Sequence, residues 1–130
     1  MVDERITDGN RIAQLLASEL DGREDGGLET VAVTNADRDV EPTADGARAY
    51  DVVVTDGDDE TRFARVFVHD DRARLEFEAG QDDAAEAGES VGLRVRPKAV
   101  EPPRTLVFIE SGAAVKRASD VVQRVATQLR

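Results

Sequence analysis

The sequence predicts an α+β domain, a two-layer sandwich in which a mainly antiparallel sheet of five to six strands carries the N-terminal and C-terminal helices on one face. Three observations lead there. Apolar residues recur at helical spacing at the two ends of the chain, the stretch between them breaks into short β-rich runs, and Asp/Gly-rich turn signals separate those runs. A chain of 130 residues is long enough to bury a core of its own, and residues 1–130 read as a single domain.

Ile12, Leu15, Leu16 and Leu20 form the first apolar stripe, with Asp8 before it as N-cap and Gly22 after it as a stop. A helix is therefore predicted over about Gly9–Leu20. The charged, Gly-rich stretch Asp21–Gly27 is a loop, and Leu28–Thr34 is the first strand. Asn35–Arg48, polar and broken by Pro42 and Gly46, reads as a long exposed connection. The β-rich runs Tyr50–Thr55, Arg62–His69, Ala73–Glu78, Val91–Arg96 and Thr105–Ile109 follow. The first three of these form a meander through the Asp56–Asp59 and Asp70-Asp71 turns, because Asp and Gly tolerate the left-handed conformations that tight hairpins need. Gly80–Ser90 reads as an acidic, alanine-containing connection with room for a helical turn. Pro97, Pro102 and Pro103 put the end of the next strand at a sheet edge or in an irregular stretch. Val115, Ala118, Val122, Val125 and Leu129, at intervals of three and four, define the C-terminal helix, with Ser111 as its N-cap. Valine is a modest helix former, so this helix depends on packing its stripe against the sheet.

The Asp70-Asp71 turn sets a register. As a two-residue hairpin loop it places Val68 opposite Ala73, Val66 opposite Leu75 and Ala64 opposite Phe77, a core face. The other face then carries Phe63, Arg65 and Phe67 across from Glu78, Glu76 and Arg74, with Arg65 and Glu76 as a cross-strand ion pair. In the next strand Val91, Leu93 and Val95 point inward, so Arg94 and Arg96 share the outer face. Phe63, Arg65, Phe67, Arg74, Arg94 and Arg96 are the candidate interaction surface. The register of Tyr50–Thr55 stays open at this stage.

The formal net charge is −11, and 15 of the 17 basic residues are arginine, leaving Lys98 and Lys116. Acid excess with scarce lysine over the whole chain resembles the proteins of extreme halophiles. Self-repulsion of this size loosens a compact state in dilute salt. At about 1 M salt the Debye length shrinks to roughly 3 Å and much of the repulsion is screened. Thermal stability is therefore expected to climb as KCl rises from dilute to molar; a salt-independent melting temperature would assign the acid excess another cause.

The charge is unevenly spread. Residues 1–90 carry 9 cationic and 25 anionic side chains, net −16, whereas residues 91–130 carry 8 and 3, net +5. Three readings of the basic third, which includes Arg94, Arg96, Lys98, Arg104, Lys116, Arg117 and Arg124, compete. It neutralises the acidic half internally. It supports binding of a protein partner or self-association, as a homodimer, because aromatics and Arg are enriched at interfaces. Or, with the outward aromatics, it stacks single-stranded nucleic acid. The last is disfavoured by the overall charge, by the absence of an RNA-binding signature and by weak phosphate attraction at high salt.

Other constellations carry less. The absence of cysteine removes disulfides, thiolate metal sites and cysteine nucleophiles. His69, the sole histidine, stands beside Asp70 and Asp71, but no nucleophile or oxyanion hole accompanies it, and it reads as a polar residue flanking a turn. Asp56-Gly57-Asp58-Asp59-Glu60 does not fit the twelve-residue calcium loop. The glycines at 22, 26 and 27 follow a helix and precede a strand, the reverse of the phosphate-loop order. No catalytic residue, metal or cofactor is assigned. With no basic stretch leading into a long apolar run, neither a signal peptide nor a membrane span is expected, and a cytoplasmic location follows. The expectation is a non-enzymatic interaction domain working through the outer sheet face; the alternative is a small-molecule-binding domain or enzyme with a pocket between sheet and helices.

Overall fold

The computed structural model describes residues 8–22 and 30–129. Residues 23–27 of the expected first loop, and Leu28 and Glu29 of the expected first strand, lie outside them. The elements are α1 (Gly9–Gly22), β1 (Val31–Thr34), β2 (Ala47–Asp56), β3 (Asp59–Val68), β4 (Ala73–Phe77), α2 (Gln81–Ser90), β5 (Val95–Lys98), β6 (Arg104–Ile109), a 3-10 turn (Gly112–Ala114) and α3 (Val115–Leu129). The strands form one six-stranded antiparallel sheet in the order β1-β2-β3-β4-β6-β5. The α+β two-layer reading therefore holds, with one more helix than expected.

Local chemistry accounts for the helix starts. Asp8 caps α1, its carboxylate accepting the Arg11 N–H at 3.2 Å and its carbonyl accepting from Ile12 at 2.9 Å. The Gly9 N–H donates to the Asp70 carbonyl at 3.1 Å, which seats the start of α1 on the β3–β4 turn. A Cβ on Gly9 would collide with the His69 carbonyl and approach that of Arg72 to 2.6 Å, so only glycine allows this contact. Ser111 precedes the 3-10 turn without a side-chain cap bond, and α3 starts at Val115.

The Gly80–Ser90 stretch is a helix rather than a connection. Its buried side consists only of Ala84, Ala87 and Gly88, too small to register as an apolar stripe. Small residues let α2 approach the sheet closely: a Cβ on Gly88 would lie 2.7 Å from Val95 Cγ2. Asp82 and Asp83 in the first turn favour the positive end of the helix dipole.

The hydrophobic core lies between the layers. Ile12, Leu16 and Leu20 of α1, Ala84 and Ala87 of α2, and Val115, Ala118, Val122 and Val125 of the C-terminal helix meet the inward side chains of the sheet in one cluster. Those inward residues are Val52, Val54, Ala64, Val66, Val68, Ala73, Leu75, Phe77, Val107 and Ile109. Tyr50 belongs with them, its hydroxyl donating to the Ala13 carbonyl at 2.8 Å. Burial holds its phenol proton far above the usual range, so the group stays a donor.

The β3–β4 register is the expected one, with Ala64 opposite Phe77, Val66 opposite Leu75 and Val68 opposite Ala73. The β2 register left open is now determined: Asp56 pairs with Asp59 around Gly57-Asp58, Gly57 taking φ 63°, and Asp51 and Val53 face outward. The strand expected over Val91–Arg96 starts later, as β5 at Val95, and runs through Pro97 to Lys98 on the sheet edge, and one face assignment is overturned. Val52 pairs with Ala64 but Val53 pairs with Arg62, which leaves Phe63 as the extra residue of a β-bulge. The bulge turns Phe63 into the core, with no exposed surface and its ring centroid 6.3 Å from that of Phe77. Arg62 takes the outward position instead. Phe63 is thus not on the outer face and drops out of the candidate surface.

Candidate functional site

The pairing lays the outer face out as rows running across the sheet. Phe67, Arg74 and Phe108 form one row, and Arg65, Glu76, Leu106 and Arg96 the next. Lys98 pairs with Arg104 beyond them. The alternation of β6 explains the two outward apolar residues: Thr105, Val107 and Ile109 point inward, which turns Leu106 and Phe108 out.

The centre of the face is a buried charge cluster. Glu76 has no exposed surface, on a strand flanked on both sides. One oxygen accepts from Arg74 Nε at 2.9 Å and Nη2 at 2.7 Å, with Lys98 Nζ at 3.5 Å; the other accepts from Arg104 Nη1 at 3.2 Å. Burial acts to raise the Glu76 pKa, but hydrogen bonds from Arg74 and Arg104 and the charges of Arg74 and Lys98 outweigh it and hold the carboxyl below its ordinary value. The expected Arg65–Glu76 pair does not form. Arg65 turns instead toward β2 and Glu78, its Nε 3.6 Å from Asp51 and 3.8 Å from Glu78, because Glu76 is already taken from the β6 side. Arg48 and Arg62 complete the Asp51–Glu78 end of the network.

Arg74 is the keystone. Besides Glu76, its Nη1 donates to the Asp45 carbonyl at 2.9 Å and contacts His69 Nε2 at 2.7 Å, while its guanidinium carbon lies 4.6 Å from the Phe67 ring centroid. Gly46, at φ 93°, leaves room for it, since a Cβ there would run into Nη1. Arginine has only donors, so His69 Nε2 is the acceptor, and Nδ1 carries the proton donated to the Ala44 carbonyl at 3.0 Å. His69 is therefore a neutral clamp, as its burial and the nearby Arg72 and Arg74 charges require against the opposing Ala44 bond; together they lower its pKa.

A pH dependence follows. A pKa lowered from its ordinary 6.5 contributes stability that is complete above that value and lost as pH falls through the folded one. Melting temperature is expected to fall as the pH drops below about 6.5, and His69→Asn should flatten that limb. An unchanged slope in the variant would contradict the clamp.

Beside this cluster an open cleft of about 580 Å³ runs over β6 and β5, lined by Ala44, Asp45, His69, Arg72, Arg74 and Arg96 with Pro97, Lys98, Leu106 and Phe108. The guanidinium carbons of Arg94 and Arg72 lie 4.4 and 5.9 Å from the Phe108 ring centroid. Arg94 pairs with Glu110 at 3.1 Å and Arg72 with Asp71 at 2.8 Å, both carboxylates solvent-exposed. Arg96 is exposed and has no ion pair among the described residues.

The whole chain, residues 1–130, matches one family. The chain belongs to DUF7993, a family of unknown function. No curated protein and no solved structure matches it. In this DUF7993 domain five of the six anticipated surface residues, Arg65, Phe67, Arg74, Arg94 and Arg96, lie on the outer face, but Arg65 and Arg74 are tied to the buried carboxylates of Asp51 and Glu76 and Phe67 lies against Arg74. Arg72, Leu106 and Phe108 were missed. Their signal was the outward turn of a leucine and a phenylalanine in β6, readable once Val107 and Ile109 are taken as core. The basic third also divides: Arg124 pairs with Glu86 at 3.1 Å and Arg117 donates to the Val91 carbonyl at 2.9 Å, both in the helical layer. A second cavity of about 360 Å³ lies between α1 and the 36–40 loop, lined by Asn10, Ala13, Ala17, Val33, Ala49 and Tyr50 among others. Among the described residues no helix is long and apolar enough to cross a membrane.

Proposed function

We propose that this domain is a non-enzymatic interaction module whose outer sheet face docks an acidic segment of a partner protein. The observation that carries the reading is the set of cations around Leu106 and Phe108 that the chain does not firmly neutralise. Arg96 lacks an ion pair among the described residues, and Arg72 and Arg94 hold only exposed carboxylates. Exposed pairs contribute at most about 1 kcal/mol, so an incoming carboxylate exchanges for them readily. Arginine, leucine and aromatic side chains around a cleft match the composition of interface cores. Both ring nitrogens of His69 are engaged, which speaks against a role in proton transfer.

Base stacking finds no support. Phe63, Phe77 and Tyr50 are buried, and Phe67 and Phe108 lie beneath arginines, so no open aromatic platform is offered. A two-fold homodimer through this face would set cations against cations. A head-to-tail contact with the acidic half of a second copy is distinguished by mass. The test is anisotropy of labelled deca-glutamate in dilute KCl, with light scattering of the free protein. The wild type is expected to bind at least about tenfold more tightly than Arg94→Glu/Arg96→Glu; equal binding would sink the reading, and a wild-type oligomer broken by the double variant would replace the partner with a second copy.

A second reading, small-molecule binding, draws on the 360 Å³ cavity, whose alanine-rich wall and volume suit a small apolar ligand. Any compound that raises the melting temperature should lose its effect in Ala17→Leu, which fills that cavity.

A further inference from the structure

We infer that the docked acidic segment carries a bulky apolar side chain between its carboxylates, and that this side chain seats on Leu106 beside Phe108. The inference rests on the docking reading and specifies its partner. Leu106 and Phe108 are two residues apart on one face of β6, so their side chains are about 7 Å apart, the spacing of adjacent rows. Phe108 is covered by the Arg94 and Arg72 guanidinium groups, whereas Leu106 is only half-buried and forms the open part of the cleft floor.

The chemistry of the cleft floor decides what stands there. Leu106 lies directly between Glu76 and Arg96 in its row. Glu76 is a buried anion that already saturates Arg74 and draws in Arg104 and Lys98. The three cations outnumber that single anion, but each already has it as a partner, and the Leu106 side chain itself offers a carboxylate no donor, whereas an apolar group there covers Leu106. Carboxylates on either side of the apolar residue reach instead to the rim, toward Arg96 and toward Arg72 and Arg94. An all-acidic segment satisfies the rim and wastes the floor. In concentrated salt, where Coulomb attraction beyond contact distance is screened, the apolar seat is the part of the recognition that persists.

The experiment compares two labelled peptides, Glu-Glu-Leu-Glu-Glu and Glu-Glu-Ser-Glu-Glu, by anisotropy at 0.1 M and 2 M KCl against the wild-type protein and Leu106→Thr. The leucine peptide is expected to bind about tenfold more tightly than the serine peptide, the return on burying one aliphatic side chain, and to retain that ratio in 2 M KCl. In Leu106→Thr the ratio should fall toward one while the serine peptide binds as before. If that variant does not fold, the wild-type ratio decides alone. Equal binding of both peptides would overturn the apolar seat and leave acidic docking standing. Binding of neither peptide, with retention of a labelled oligothymidylate, would overturn both.

Discussion

Glu76→Gln is expected to destabilise the domain by about 3–5 kcal/mol, the range for removing one partner of a buried ion pair. Glutamine keeps the shape and one acceptor, so the loss reports charge rather than packing. Arg104 and Lys98 are partly exposed and recover some hydration, but Arg74 is 8% exposed and cannot. Its guanidinium would remain enclosed by Phe67, His69 and the Asp45 carbonyl with no counter-ion. The measurement is urea unfolding at pH 7 in molar KCl, where surface pairs are screened and the buried one is not. A loss below about 1 kcal/mol would mean that the cluster is solvated and Glu76 is not its anchor. The same variant carries a pH signature. Because the Glu76 carboxyl is held below its ordinary value of 4.5, its contribution is complete above that pH and lost as pH falls through the folded value. Glu76→Gln should therefore lose stability less steeply than the wild type on acidification below about pH 4.5.

Phe63→Ala and Phe67→Ala are expected to differ sharply although both residues belong to β3 and stand four apart. Phe63 is fully enclosed against Phe77, and its truncation should cost about 3–5 kcal/mol. Phe67 is half-buried on the outer face and covered on one side by Arg74; losing that contact should cost no more than about 2 kcal/mol. The contrast exists only because of the bulge. In a regular strand the two rings would share a face, and the two losses would be similar. Equal values in urea unfolding would therefore remove the bulge from the account.

The sheet was legible where turn chemistry and period-two alternation agree. Asp70-Asp71 admits a two-residue loop, and from it the whole β3–β4 register follows, including Arg65 opposite Glu76. Legibility failed where one residue breaks the period. At Phe63-Ala64 two adjacent apolar residues both turn inward, which alternation cannot express, and the assignment of Phe63 to the surface followed from that rule alone. α2 was missed for a different reason: a helix that buries only Ala84, Ala87 and Gly88 presents almost no periodic hydrophobicity, and its place is settled by close approach to Val95 and Val107. The surplus of cations after residue 90 was visible in the sequence, but its division between two layers was not. That division depends on β5 and β6 lying in the sheet while Lys116, Arg117 and Arg124 belong to α3, a tertiary fact. The commitment of Arg74 to Asp45 and His69 is likewise invisible locally, since those partners come from the β2 approach and the hairpin.

The docking claim is tested most directly by mapping amide shifts of the labelled domain as the Glu-Glu-Leu-Glu-Glu peptide is added. The largest changes are expected at Arg72, Arg94, Arg96, Leu106 and Phe108, around the cleft. Changes confined to α2 and α3, or to the cavity beside α1, would place recognition on the helical layer and contradict the account.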